Sequence, residues 1–360
     1  MRSVFLAVFF LGICFAQSLT IEEYEPKSTL VVPHSQVPKA KYPFIDVHLH
    51  QGNCRTEECV KGLLEKMDQV NMRVMVTSPV RRGHGATLRA IVDAQKKRYP
   101  SRFAVFTNLD ESNLDDPAYP DKVAQQLEDD IKYGAQGLKV WKHLGMDLKD
   151  ASGKRIPLDD ARFDKAFEVC AKYKIPVLIH TADPKPFWDP MDKNNERWLE
   201  MKSRPGRNRS TGEQVQWETL MEEQKKLFAK HPKTNFINAH FGWMANDLGQ
   251  LGQWLDKLPN MYLEPSAAMA ELGRQPRAAR AFFEKYQDRI VFGKDTWEIS
   301  EYPYYFRVFE TADEYFDHIR RYQAFWKVYG LSLPDGVLKK LYYKNALRLI
   351  PGLDSTGFPK

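Results

Sequence analysis

Residues 44–50 read Phe-Ile-Asp-Val-His-Leu-His, an apolar run that ends in two histidines separated by one residue. On an extended segment, side chains two apart share a face, so His48 and His50 can reach one metal ion from the end of a single strand. Alone the pair is a weak signal, since strand-end histidines also bond to neighbouring backbone. The pattern recurs along the chain. Val177-Leu178-Ile179 runs into His180, Ile237-Asn238-Ala239 into His240, and Ile290-Val291-Phe292-Gly293-Lys294 into Asp295. In a parallel barrel all of these ends lie on one face, where four imidazoles and a carboxylate gather.

Eight β-rich runs support that geometry, at 44–47, 74–77, 103–106, 137–141, 176–179, 235–239, 261–263 and 289–292. Between them, apolar residues recur at spacings of three and four, as in Leu63, Met67, Val70 and in Val123, Leu127, Ile131. Stretches 161–172, 216–230 and 276–286 behave alike. The alternation predicts an α/β fold, a single-domain (β/α)₈ TIM barrel whose working face is built from the loops after the strands. An open doubly wound sheet shares the alternation, and periodicity alone does not separate the two. Two connections are too long for turns. Segment 181–212 follows the fifth strand and carries Trp188, Trp198, Arg204, Arg207 and Arg209. Segment 296–311 follows the eighth and carries Trp297, Tyr302, Tyr304, Tyr305 and Phe306. Their aromatic content predicts ordered loops on the active face.

With 43% hydrophobic and 28% charged residues in a 360-residue chain, a large core is affordable and a disordered or fibrous protein is excluded. The net charge of +6 is spread rather than gathered into a stripe, which argues against a nucleic-acid partner and leaves room for anionic ligands. Residues 1–18 read as a secretory leader: Arg2 gives a positive start, an apolar stretch follows, and Ala16 is a small residue for cleavage. Cys14 follows a bulky Ile13, which disfavours lipid attachment. The expected organisation is a signal peptide at 1–16, a Pro-containing leader arm at 17–43, the barrel at 44–353 and a C-terminal tail at 354–360. The expected location is secreted or periplasmic. No long apolar run follows the leader, so no membrane association is expected after cleavage, and a homo-oligomer is compatible with the sequence. An oxidising compartment permits a bridge between Cys54 and Cys59, with Cys170 as core.

The strand-end set His48, His50, His180, His240 and Asp295 resembles that of the metal-dependent amidohydrolase superfamily, in particular the mononuclear branch that includes aminocarboxymuconate-semialdehyde decarboxylase. The resemblance runs from Phe44 to about Leu353 and includes Tyr343-Lys344-Asn345-Ala346, similar to the family's closing helix. It implies metal ligation by His48, His50, His180 and Asp295, with His240 catalytic or polarising the substrate. Asp46 is expected to brace a ligand or the loop. Relatives with two metals use a modified lysine or a glutamate at the end of strand four. Here that strand reads Gly137-Leu138-Lys139-Val140-Trp141-Lys142, with Lys139 and Lys142 on opposite faces. Lys294 stands where the family usually shows a small polar residue.

Three histidines and one aspartate suit Zn²⁺, with Mn²⁺ or Fe²⁺ as alternatives. The ligand set implies a metal-activated water, with Asp295 as proton carrier and His240 stabilising the oxyanion. The expected enzyme hydrolyses an amide, ester or lactone of a small carboxylated substrate. A nonoxidative decarboxylase is the alternative, and a noncatalytic binding barrel a third reading. Arg81, Arg82, Lys139 and Lys142 are expected to bind substrate, and Trp188, Trp297 and Tyr302 to wall the pocket.

Overall fold

The computed structural model describes residues 19–21 and 23–359. The expected leader, its cleavage at Ala16 and Cys14 lie outside the described residues. The chain divides into two units, Met1–Val31 and Val32–Lys360. In the first, the described residues form a turn in which Glu23 N donates to Thr20 O, and then run without regular structure. No helix among the described residues is long and apolar enough to cross a membrane.

The second unit is built on seven parallel strands hydrogen-bonded in chain order: β1 (Phe44–Leu49), β2 (Met72–Thr77), β3 (Phe103–Thr107), β4 (Gly137–Val140), β5 (Val177–Ile179), β6 (Phe236–Asn238) and β7 (Met261–Leu263). Almost every strand residue is buried, as expected where one face of a parallel sheet packs on helices and the other fills a barrel. Helices follow the strands, among them Glu57–Gln69, Tyr119–Tyr133, Asp164–Tyr173, Trp217–Lys230 and Pro276–Lys285. The first begins on a Thr56 cap that accepts from Cys59 N, and Cys54 is joined to Cys59 by a disulfide.

The eighth strand differs from expectation. Residues 289–295 do not form a regular strand but still close the barrel. Leu263 N donates to Arg289 O and Val291 N to Leu263 O (both 2.9 Å). On the other side, Val47 N donates to Phe292 O (3.0 Å) and Asp295 N to His48 O (2.7 Å). Phe292 turns its own N–H away, to Leu341 O, and Asp295 adopts φ 76°, so the extended ladder cannot continue.

The long connections are ordered. Segment 181–212 contains the helix Trp198–Ser203 and is pinned by the buried Arg197, whose guanidinium pairs with Glu200 (3.0 Å) and Glu271. Segment 296–311 folds into the turn Ile299–Glu301 and the helix Tyr302–Glu310. Tyr302 and Phe306 are buried against Phe44, with ring centroids at 5.9 and 5.5 Å, and Phe44 meets Phe292 edge-on at 4.9 Å. Cys170 is buried, as expected.

Candidate metal centre and catalytic site

The end of β1 brings His48 and His50 to the mouth of the barrel. Their Nδ1 atoms face fixed acceptors: Glu264 Oε1 lies 2.8 Å from His48, and the carbonyl of Ser78 lies 2.8 Å from His50. With the protons on Nδ1, both rings present a lone pair at Nε2. Asp295 Oδ1 stands 2.9 Å from His50 Nε2 and 3.5 Å from His48 Nε2. Three basic atoms thus converge from two barrel elements and need a shared cation or proton. Lys139, buried at the end of β4, donates to His48 Nε2 from 2.9 Å. An ion taking that nitrogen displaces this contact.

Burial, reinforced by Lys139, pulls His48 down to about 4, so its imidazole is neutral near pH 7. Burial also lowers Lys139, to about 8, against the pull of Asp295 and Glu264. Burial opposes the charge of Asp295, yet His48 and His50 outweigh it and hold the carboxyl well below its usual range. Glu264 shows the same balance: burial raises it, while His48 and Ser266 more than offset that. The rim is strained as well. Ala182, His240, Phe241, Ala267 and Asp295 all have φ between 53° and 76°. Each non-glycine residue there costs about 1–3 kcal/mol, retained where surrounding contacts over-determine the backbone. Phe241 N, for example, donates to Glu264 O (2.9 Å). At Gly242 a side chain would meet Asn238 Nδ2 at 2.4 Å with φ +59°, so only glycine fits.

His240 Nδ1 faces both the carbonyl and the hydroxyl of Ser266 (2.9 Å each), while Ser266 Oγ itself donates to Glu264. The His240 proton therefore sits on Nδ1, and Nε2 is an acceptor. His180 stands beside it, Nδ1 to Nε2 at 3.3 Å, with its own Nε2 3.1 Å from Ala182 O. Among the described residues, ligand atoms of His48, His50 and Asp295 lie within 4.8 Å of one another; His180, expected as a ligand, stands outside this group with its Nδ1 toward His240. A second grouping, His48 with His240 and Glu264, is already filled by the hydrogen bonds through Ser266.

The family profile for amidohydrolases matches residues 69–352. The chain belongs to the amidohydrolase family. Its fold is similar to that of solved structures of low identity. One is 4-oxalomesaconate hydratase from Rhodopseudomonas palustris, 14% identical over 86% of this chain and 96% of that one, with a TM-score of 0.51. Another is 2,6-dihydroxybenzoate decarboxylase, complexed with 2,6-dihydroxybenzoate, 16% identical over 80% and 86%, TM-score 0.51. A third is an uncharacterized TIM-barrel protein from Bordetella bronchiseptica, 15% identical over 85% and 97%, TM-score 0.50. No curated protein matches the chain. This amidohydrolase is accordingly an enzyme of a metal-dependent family with a TIM-barrel fold. The donor set fits a divalent ion, because two imidazole lone pairs and one carboxylate oxygen already face a common point.

A cavity of about 600 Å³ opens beyond the ends of β2, β3 and β4 of the amidohydrolase, lined by Arg81, Arg82, His84, Asp110, Lys139 and Trp141 among others. It meets the ligand cluster through Lys139 and through Trp141, whose ring centroid is 4.8 Å from that of His50. Arg81 and Arg82 are thus on its wall. Lys142 is held by Asp183, which Arg209 also approaches at 3.7 Å. Trp188 donates to Val215 O (2.7 Å) and Trp297 stands edge-on to Tyr302; neither lines this cavity.

Tyr302, expected on the pocket wall, requires correction. It is wholly buried and its hydroxyl donates to Asp46 Oδ2 (2.8 Å), because the segment forms a helix whose aromatic face packs on the barrel. Asp46 in turn accepts from His48 N (3.0 Å), and so braces the backbone of His48. Sequence reasoning missed Glu264, Ser266 and Trp243. Glu264 directly follows Met261-Tyr262-Leu263, the same strand-end signal that marked His180 and His240. Trp243 stacks on His240 at 4.6 Å and donates to Ala182 O (3.1 Å).

Proposed function

We propose that this amidohydrolase hydrolyses an amide, ester or lactone bond of a small carboxylated substrate, with zinc as the ion held by His48, His50 and Asp295. The supporting observation is a cavity whose wall carries Arg81 and Arg82 and whose lining residues Lys139 and Trp141 touch His48 and His50. A substrate carboxylate on those guanidiniums makes charge-assisted hydrogen bonds, which leaves the scissile group at the histidine end. Trp141 offers a flat apolar wall between the two. Zinc, when bound, supplies Lewis acidity and allows water to ionise near pH 7. Asp295, held anionic, takes the proton of the attacking water and passes it to the leaving group. His240 accepts rather than donates at Nε2, so it orients that water instead of stabilising an oxyanion as the ligand set first suggested. Glu264 and Ser78 fix the ring orientations of His48 and His50.

A secreted or periplasmic location belongs to the same proposal. The Cys54–Cys59 disulfide supports it, since such bonds persist in oxidising compartments.

The test is a screen of protein stripped by chelator and reloaded with zinc against lactones, amides and aromatic acids in oxygen-18 water. Hydrolysis predicts zinc-dependent turnover with solvent oxygen in the product. Release of carbon dioxide without solvent oxygen makes the enzyme a decarboxylase instead. A chain that takes up much less than one divalent ion overturns both.

A further inference from the structure

Lys294 neighbours Asp295 in sequence and is 1% exposed, yet its ammonium does not face the ligand cluster. It turns the other way. Nζ donates to Thr296 O (2.8 Å), to Thr296 Oγ1 (3.1 Å) and to Glu301 Oε2 (2.7 Å). Arg320 grips the same carboxylate from the opposite side, Nε to Oε1 at 2.9 Å and Nη2 to Oε2 at 3.0 Å, and reaches Thr296 Oγ1 at 3.0 Å. The Lys294 backbone N–H donates to Asp46 Oδ1 (3.3 Å), and Asp295 N donates to His48 O. Both residues flanking Asp295 are therefore tied down, Thr296 through its carbonyl and hydroxyl and Lys294 through both its amide and its ammonium. Between these anchors the backbone of Asp295 holds φ 76°, a left-handed conformation that a residue with a Cβ keeps only where its surroundings impose it.

We propose that Lys294, Glu301 and Arg320 form a clamp that imposes the left-handed turn at residue 295 and so aims the Asp295 carboxylate at the bound ion. All three are positioning residues, because none touches the ligand atoms. The inference rests on the reading of Asp295 as a ligand. It also explains the lysine at a place where a small polar side chain was expected: the long arm reaches past the turn to Glu301, which a small residue cannot.

The experiment measures ion affinity rather than turnover. Stripped full-length protein is titrated with zinc against a chromophoric chelator, and with cobalt to record its visible absorption band, for wild type, Lys294→Met, Glu301→Gln and Asp295→Asn. Loss of a residue that orients a ligand weakens metal binding by about 10–100-fold. Lys294→Met and Glu301→Gln should each show a loss in that range and a changed cobalt band, with far-UV circular dichroism unchanged. Zinc affinity within twofold of wild type and an unchanged cobalt band in the folded variants, beside weakened binding by Asp295→Asn, overturns the clamp alone. Wild-type affinity in Asp295→Asn overturns the ligand assignment and the clamp with it. Should Lys294→Met fail to fold, Glu301→Gln decides by the same two outcomes.

Discussion

Gly293 gives the sharpest test of how the site is packed. A Cβ at this position would stand 2.6 Å from Glu264 Oε2 and 3.1 Å from both Glu264 Cδ and His48 Cβ. Glu264 cannot step aside freely, because its carboxylate accepts from Ser266 N (2.8 Å) and His240 N (3.0 Å) besides holding His48. Gly293→Ala must therefore overpack the barrel interior, at about 1–3 kcal/mol, and break a hydrogen bond to a charged group, at about 1.5–3 kcal/mol. The expected destabilisation is about 3–5 kcal/mol by urea unfolding, together with weaker zinc binding as His48 loses its brace. A double-mutant cycle isolates the cause: once Glu264→Ala has removed the carboxylate, the further cost of Gly293→Ala should shrink by at least 1 kcal/mol or so. Equal cost in both backgrounds, or wild-type stability of the single variant, refutes the close approach of these two residues.

Asp295→Asn, tested on zinc-loaded protein, is expected to lower kcat by about 10²–10⁴-fold while the protein stays folded; activity within a few-fold of wild type rejects the proton-transfer role. His318 is buried and pushed down to about 4, chiefly by burial. The unfolded chain then binds the proton more readily, so stability is present above pH 6.5 and is lost as the pH falls toward 4. Between pH 7.5 and 5 this group should remove about 2 kcal/mol, and His318→Gln should flatten the pH dependence of urea unfolding by that amount. The disulfide spans five residues in sequence, and closing so short a loop is worth about 2 kcal/mol, so Cys54→Ser/Cys59→Ser should lose that much in urea unfolding; no change argues that the bridge does not constrain the unfolded chain.

The fold was legible because parallel strands buried on both sides must be short apolar runs, and the chain writes seven of them plainly. The eighth was legible only as a run; its irregularity comes from the turn at Asp295 and from the amide of Phe292 bonding elsewhere, neither of which hydrophobicity records. His48, His50 and Asp295 converge because strand ends converge. Glu264 carries the same strand-end signal, directly after Leu263. Tyr302 was misplaced because a stretch of aromatics reads equally as a pocket wall or as the inner face of a helix. The proton position on His240 depends on the Ser266 carbonyl and hydroxyl, contacts made across a turn that no local pattern reveals. Lys139 was readable as inward or outward facing, but its contact with His48 is made across the barrel interior, between strands that do not pair.

The four backbone hydrogen bonds that join residues 289–295 to β7 and β1 have a consequence for how the molecule breathes. A cylinder stitched this lightly along one seam opens there first, and amides of this stretch should exchange with solvent well ahead of those in β4 and β5. Asp295 sits at the end of that seam, where the side-chain contacts of Lys294 and Thr296 supply the hold that the sparse backbone ladder does not, while His48 lies on β1, which pairs with β2.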